Sequence, residues 1–332
     1  MSRLRAGVIG CGNLGARHAE SYAELPEVEL AAVCDIVREK ADELAGRLKA
    51  RAYCDAAEML RTEELDCVSV CTRDDQHYEP VMAALDAGVH VFCEKPLSLV
   101  TAEAEQMVRK AEQSGVFLGV DYNRRFSMCY LRAKEAVASG RLGDISYVLM
   151  KLSQGGPRQT EKGKYYLMYE LQVHSIDMLR HMAGEVTSVS AHFCDTRGLG
   201  FYTAGALSFS FEGGGVGTLI AGWDASFTQP IEWFEVGGTR GFLQVDNVVH
   251  ELRMYLHDEP EARFWRPNIL RDDPRFYGTV PAHVRAFCES IAAGKQPPVT
   301  GLDGLRSLQI IEAAIESFET SRTITPGTAA RL

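Results

Sequence analysis

The stretch from Leu4 to Leu25 constrains this chain more than any other. A short apolar run, Leu4 to Ile9, breaks at Gly10-Cys11-Gly12-Asn13-Leu14-Gly15 and gives way to a helical pattern from Ala16 to Leu25. The order is strand, tight turn, helix. Glycine is needed at three places for separate reasons: a sharp turn at Gly10, close approach of a pyrophosphate to the backbone at Gly12, and tight helix-on-strand packing at Gly15. The amides that open the helix, those of Asn13 and Leu14 among them, then face the phosphates, and the helix dipole favours their charge. The next strand, Leu30 to Cys34, ends on Asp35. An acidic residue there is the context that turns a glycine spacing into a dinucleotide fingerprint.

A length of 332 residues exceeds one ordinary core, so two domains are expected. A net charge of −10 with no Lys/Arg run argues against nucleic-acid or anionic-membrane partners. No segment has the apolar length of a bilayer span and no signal-peptide pattern precedes the first strand, so a cytoplasmic location is expected. The nine cysteines form no C-x-x-C pair. They read as reduced core residues, with neither a disulfide framework nor a metal site implied.

After Asp35 helix and strand alternate. Strands are expected at 51–54, 67–71, 89–93 and 116–120, with helices at 37–50, 76–87 and 101–113. Six strands with helical crossovers in about 120 residues make a doubly wound parallel sheet, placing a dinucleotide-binding domain at 1–121. In 122–332 a helix from Ser127 to Ser139, a strand from Ile145 to Leu152 and a helix from Met168 to Met182 are followed by period-two runs. These runs, at 186–193, 204–211, 216–223, 231–237, 241–245 and 251–256, imply an open, mostly antiparallel sheet in an α+β domain. Helices at 281–293 and 302–321 close the chain. The uncovered sheet face is a candidate surface for a homodimer or homotetramer.

Ligands of open parallel sheets sit beyond the carboxyl ends of the strands. Thr72-Arg73-Asp74-Asp75-Gln76-His77 follows the fourth strand and Glu94-Lys95-Pro96 the fifth, with Pro96 fixing the turn that aims Lys95. Asp35 suits the ribose hydroxyls of NAD and repels a 2′-phosphate, while Arg38 one turn on softens that preference for NAD over NADP. In the second domain Glu170, His174 and Asp177 fall four and three residues apart, on one face of a helix. Histidine suits proton transfer near neutral pH, and a neighbouring carboxylate orients it. Two decoys arise. Tyr130 and Lys134 match Y-x-x-x-K, but the glycine spacing and the late position exclude a short-chain dehydrogenase pair. His174 has no second ligand cluster to complete a metal site.

Taken in order, Gly10 to Gly15, Glu94-Lys95-Pro96, Asn123-Arg124-Arg125-Phe126 and His174 to Arg180 resemble the Gfo/Idh/MocA oxidoreductases. Val236 to Leu243 and the ending from Val299 add to the likeness, which spans nearly the whole chain. The resemblance implies an N-terminal Rossmann domain, a C-terminal α+β domain, and NAD(P)-dependent hydride transfer at a secondary alcohol of a sugar or an inositol-like cyclitol. It also implies that Lys95 and His174 are catalytic and that Thr72, His77, Glu94 and Asn123 lie near the cofactor. Glu170 and Gln172 stand where the family often has aspartate and glycine, and Arg73-Asp74 replaces a usual Pro-Asn, so no single substrate carries over. In the expected chemistry His174 takes the hydroxyl proton, Lys95 hydrogen-bonds the developing alkoxide, and Glu170 orients the histidine or a hydroxyl. Arg124, Arg125 and the Gln154 to Lys164 loop hold the remaining polar groups. A dinucleotide-dependent glycosidase using transient oxidation, and a non-catalytic cofactor-binding regulator, are the alternatives.

Overall fold

A computed structural model describes residues 3–155, 162–224, 231–266 and 274–327. Contacts between Cα atoms divide the chain into two compact units, residues 1–123 with 277–306, and residues 124–276 with 307–331.

The first unit is built on six parallel strands: β1 (Leu4–Ile9), β2 (Val28–Cys34), β3 (Arg51–Tyr53), β4 (Cys67–Val70), β5 (His90–Cys93) and β6 (Leu118–Val120). Their order, β3-β2-β1-β4-β5-β6, is that of a doubly wound sheet. Every residue of β4 is buried, because helices cover both faces of a parallel sheet. The crossovers are α1 (Asn13–Ala23), α2 (Arg38–Leu48), α3 (Ala56–Thr62), α4 (Tyr78–Asp86) and α5 (Thr101–Ser114). Helix α3 was not expected. Its signal is Asp55, whose carboxylate accepts from the Glu58 amide at 2.7 Å, with an acidic residue at the third helical position, a short capping pattern before a single buried residue, Met59.

Among its described residues the second unit carries α6 (Met128–Ala138), α7 (Val173–Ala183) and an eight-stranded sheet. Its strands are β7 (Ile145–Ser153), β8 (Val186–Cys194), β9 (Ala204–Phe211), β10 (Val216–Gly222), β11 (Glu232–Gly238), β12 (Gly241–Asp246), β13 (Glu251–Leu256) and β14 (Arg263–Trp265). Their order is β14-β13-β12-β11-β7-β10-β9-β8, antiparallel throughout except for the parallel pair β7 and β10. Val148, Met150 and Leu152 of β7 point into the core while Tyr147, Leu149 and Lys151 point out, the alternation of a sheet packed on one face. Among the described residues of this unit, two ion pairs are buried at both ends. Arg124 Nε lies 2.9 Å from Glu232 Oε2, and the other oxygen of Glu232 accepts from the Tyr130 hydroxyl at 2.5 Å. Arg125 grips Asp177 through Nε at 2.9 Å and through Nη2.

The sequence reading assigned everything after residue 121 to the second domain, whereas residues 277–306 pack with the first. The reason is apolar. Helix α8 (Pro274–Ala293) brings Val280, Val284, Phe287 and Cys288 into one cluster with Ala6, Val8 and Val33. Phe287 stacks on Phe92 with ring centroids 5.1 Å apart. Gly119 of β6 makes room for it, since a Cβ there would lie 3.1 Å from the Phe287 ring. Helix α9 (Gly301–Thr320) follows. Among the described residues no helix is long and apolar enough to cross a membrane.

Candidate active site

In the first unit the turn after β1 lies at the switch point of the sheet, between β2 and β4. Its three glycines are not equivalent. Gly10 has φ +98°, and a Cβ there would sit 2.5 Å from the Cys71 carbonyl oxygen. At Gly15 a Cβ would lie 1.7 Å from the Gly10 oxygen, so this glycine lets α1 rest on the turn. At Gly12 a Cβ would meet nothing within 4 Å. Gly12 is also the N-cap of α1 and supplies no capping side chain, which leaves the first amides of that helix to other acceptors. The cleft beside it is lined by Gly10, Gly12, Asp35, Val37, Thr72 and Gln76.

Asp35 closes one end of this cleft. Its Oδ2 accepts from the Cys11 amide at 2.7 Å and its Oδ1 from the Val37 amide at 2.9 Å, which fixes the carboxylate while leaving lone pairs for a diol. Arg38 is exposed and paired with Asp42 at 2.9 Å. Thr72 Oγ1 donates to the Gln76 carbonyl at 2.9 Å and so shapes the loop after β4. Open backbone at Gly12, uncapped amides and an oriented acid are what a dinucleotide's pyrophosphate and adenosine ribose require, so the residues present fit that cofactor.

The segment after β5 is held from both sides. Glu94 is buried; its Oε2 accepts from the Lys95 amide at 3.1 Å and its Oε1 lies 3.3 Å from His18 Nε2. His77 is buried, and burial pushes its pKa below the ordinary histidine value. The neutral ring has one donor, and the shorter contact, Nδ1 to the Pro96 carbonyl at 2.8 Å, is where it donates. The Lys95-Pro96 peptide is cis. Glu94 and His77 thus act as framework for Lys95, which is half-buried. Asn123 opens a 3-10 turn, Asn123–Phe126.

In the second unit the sequence placed Glu170, His174 and Asp177 on one face of one helix. Instead a π turn spans Met168–Gln172, and α7 begins at Val173. Glu170 lies on the π turn and His174 on the first turn of α7, both half-buried. The π turn is pinned where Gln172 Nε2 donates to the Leu152 carbonyl at 2.9 Å and its Oε1 accepts from Ser175 at 2.9 Å. Turns of this kind occur mostly as local bulges in helices and frequently at functional sites. Both oxygens of Asp177 receive Arg125. The substrate role read for Arg124 and Arg125 therefore gives way to buried ion pairs within their own unit. Tyr130 and Lys134 are equally committed, to Glu232 and to the His181 carbonyl. Residues 156–161 of the expected substrate loop lie outside the described residues.

Sequence reasoning missed a buried group in the first unit. His18, Glu94 and Asp121 bring their ligating atoms within 4.8 Å of one another, and His283 Nδ1 lies 2.7 Å from Asp121 Oδ1. The available signal was a histidine three residues beyond Gly15 and an acid at the end of β6.

Residues 4–122 match the oxidoreductase family with an NAD-binding Rossmann fold, and residues 130–244 match the GFO/IDH/MocA C-terminal domain. The chain belongs to the GFO/IDH/MocA family. Among relatives, a myo-inositol 2-dehydrogenase of Thermotoga maritima is 29% identical over 97% of this chain and 98% of its own. A scyllo-inositol 2-dehydrogenase (NAD(+)) of Bacillus subtilis is 28% identical over 95% of this chain and 94% of its own. The crystal structure of a probable dehydrogenase from Thermotoga maritima superposes with a TM-score of 0.84 at 29% identity, covering 97% of this chain and 98% of that one.

For this GFO/IDH/MocA chain the glycines separate ligand from scaffold. Gly12→Ala is expected to melt close to the parent yet bind NADH about tenfold more weakly by fluorescence titration. Gly15→Ala forces backbone apart and is expected to cost about 3 kcal/mol in urea unfolding. A Gly12→Ala protein with unchanged NADH affinity would remove the cradle from cofactor binding.

Proposed function

We propose that this chain is an NAD-dependent dehydrogenase acting on a secondary ring alcohol of a cyclitol or sugar. The observation that carries the reading is its likeness, over nearly the full length of both chains, to a myo-inositol 2-dehydrogenase. NAD would rest on Gly10, Gly12, Asn13, Leu14 and Gly15, with Asp35 on the adenosine ribose and Thr72 beside it. When bound it accepts the hydride.

The chain's own residues supply the rest. His174, at the start of α7, takes the hydroxyl proton, a task suited to an imidazole near neutral pH. Lys95 donates a hydrogen bond to the oxygen as charge develops there, and a preorganised cation at that point lowers the barrier most. Glu170, on the π turn, orients the histidine or a neighbouring hydroxyl. Asp35 favours NAD over NADP, since a carboxylate held by two amides repels a 2′-phosphate, and the exposed Arg38, paired with Asp42, softens that preference.

The outer face of the second unit's sheet is taken to receive a second copy of the chain. Tyr147 of β7 stands opposite Val216 of β10, and Leu149 and Ile220 share that outer face opposite Thr218 and Lys151; the four apolar side chains are 36%, 55%, 40% and 43% exposed, a face suited to a second copy.

NADH formation across a panel of inositols and aldoses tests the activity, and a panel without turnover would defeat it. Lys95→Ala should still bind NADH and lose about a hundredfold or more in kcat; unchanged kcat would take lysine out of the chemistry. Asp35→Ala should weaken NAD about tenfold while leaving NADP unaffected, and equal losses would contradict the cofactor preference. Leu149→Glu with Ile220→Glu should sediment as a monomer, whereas a parent chain that is itself monomeric would exclude the interface.

A further inference from the structure

Four ionisable side chains meet inside the first unit, away from solvent. His18 comes from α1, Glu94 from the end of β5, Asp121 from the end of β6 and His283 from α8; His18 and His283 are 0% exposed, Asp121 2% and Glu94 5%. His18 Nδ1 lies 3.0 Å from Ser69 Oγ, which in turn lies 2.8 Å from the Tyr22 hydroxyl. On the other side of the ring, His18 Nε2 lies 3.3 Å from Glu94 Oε1 and 3.5 Å from Asp121 Oδ2. The remaining oxygen of Glu94 accepts from the backbone amide of Lys95. An unbroken line of contacts therefore runs from Tyr22 through Ser69, His18 and Glu94 to Lys95.

Two buried carboxylates facing each other with nothing between them would repel. A shared cation between them prevents that. Burial opposes charge on His18. Cys71 lies beside it, but burial pushes that thiol's own pKa up, so it is neutral at pH 7. The hydrogen bonds to Asp121 and Glu94 favour the charged imidazole. For Asp121, burial favours the neutral acid, and the two histidines overcome it and keep the group ionised.

From this geometry we propose that His18 is a positioning residue for Lys95, acting through Glu94. It holds Glu94 in one place, so that the Glu94 carboxylate fixes the Lys95 amide on one side while His77 fixes the Pro96 carbonyl on the other. The role rests on the reading of Lys95 as the alkoxide's donor. Displacement of a catalytic group by an ångström is enough to cost orders of magnitude in rate, so a residue outside the cofactor cleft can govern turnover.

The test uses the full chain and two readouts. The first is steady-state kinetics of His18→Gln, Glu94→Gln and the double variant with NAD and the best substrate of the panel. The second is the rate at which acetic anhydride labels Lys95, with Lys110 of α5, paired to Asp86 of α4, as internal control. The single variants should lose about tenfold or more in kcat, keep KM for NAD within about twofold of the parent, and change Lys95 labelling about threefold or more while Lys110 stays constant. The double variant should be no worse than the poorer single, because both act along one line. If His18→Gln fails to fold, Glu94→Gln carries the same reading with His18 intact. Unchanged kcat and unchanged Lys95 labelling, with only a lower melting temperature, would overturn the proposal and leave His18 as packing. A stoichiometric divalent metal in the purified chain that is lost in His18→Gln would also overturn it, since His18 would then be a ligand. Absence of turnover in the parent on every substrate would refute the dehydrogenase reading alone; Lys95 labelling would still decide the positioning role.

Discussion

The first unit depends on backbone packed directly against backbone where β1 ends. Gly15 lies so close to Gly10 that no side chain fits between them, and Gly10 in turn abuts the Cys71 carbonyl at the end of β4. This contact brings α1 down onto the turn and sets the direction of its first amides. It also draws the ends of β1, β2 and β4 together, so that Asp35 and Thr72 line the same cleft as Gly12. The open space in front of Gly12 is the complement of the crowding at Gly15. One glycine is required by the protein's own packing, and the other leaves open space in the cleft.

The second constraint is charge taken out of water. Among the described residues, buried carboxylates in both units are answered by cations or donors, for example Glu232 by Arg124 and Tyr130, Asp177 by Arg125, and Glu94 and Asp121 by His18 and His283. Burying such groups rarely adds stability over an apolar core of the same shape, but removing one partner costs several kcal/mol because the other charge is left stranded. These groups hold their elements in one arrangement, since each side chain has few positions that satisfy its partner. In the first unit that fixes the approach to Lys95. In the second it ties α7, which bears His174, to Arg125.

Much of this was legible in the sequence wherever the signal was local. Strand β9 was read to the residue because its inward and outward positions alternate without a break, and the glycine fingerprint was read because its context, strand before and helix after, lies within 35 residues. Short elements escaped: β14 has three residues, and α3 shows a single buried position. Arg124 and Arg125 looked like ligand-binding cations because Glu232 and Asp177 are distant in sequence. His18 went unread for the same reason, its partners being Ser69, Glu94 and Asp121. The π turn at Met168–Gln172 has no spacing signal, since an extra residue in one turn leaves the apolar pattern on either side intact. The return of 277–306 to the first unit rests on Phe287 meeting Phe92 and Gly119, a fit that appears only when the sheet exists.

The central claim is that the first unit's cleft holds a dinucleotide for direct exchange of hydride with a ring carbon. Incubating the chain with NAD and carbon-deuterated inositols and aldoses, then examining the nicotinamide by NMR, tests it most directly. The account predicts one deuterium on one face of nicotinamide C4 for each ketone formed. Deuterium released to solvent, or product formed with no label on the cofactor, would contradict it.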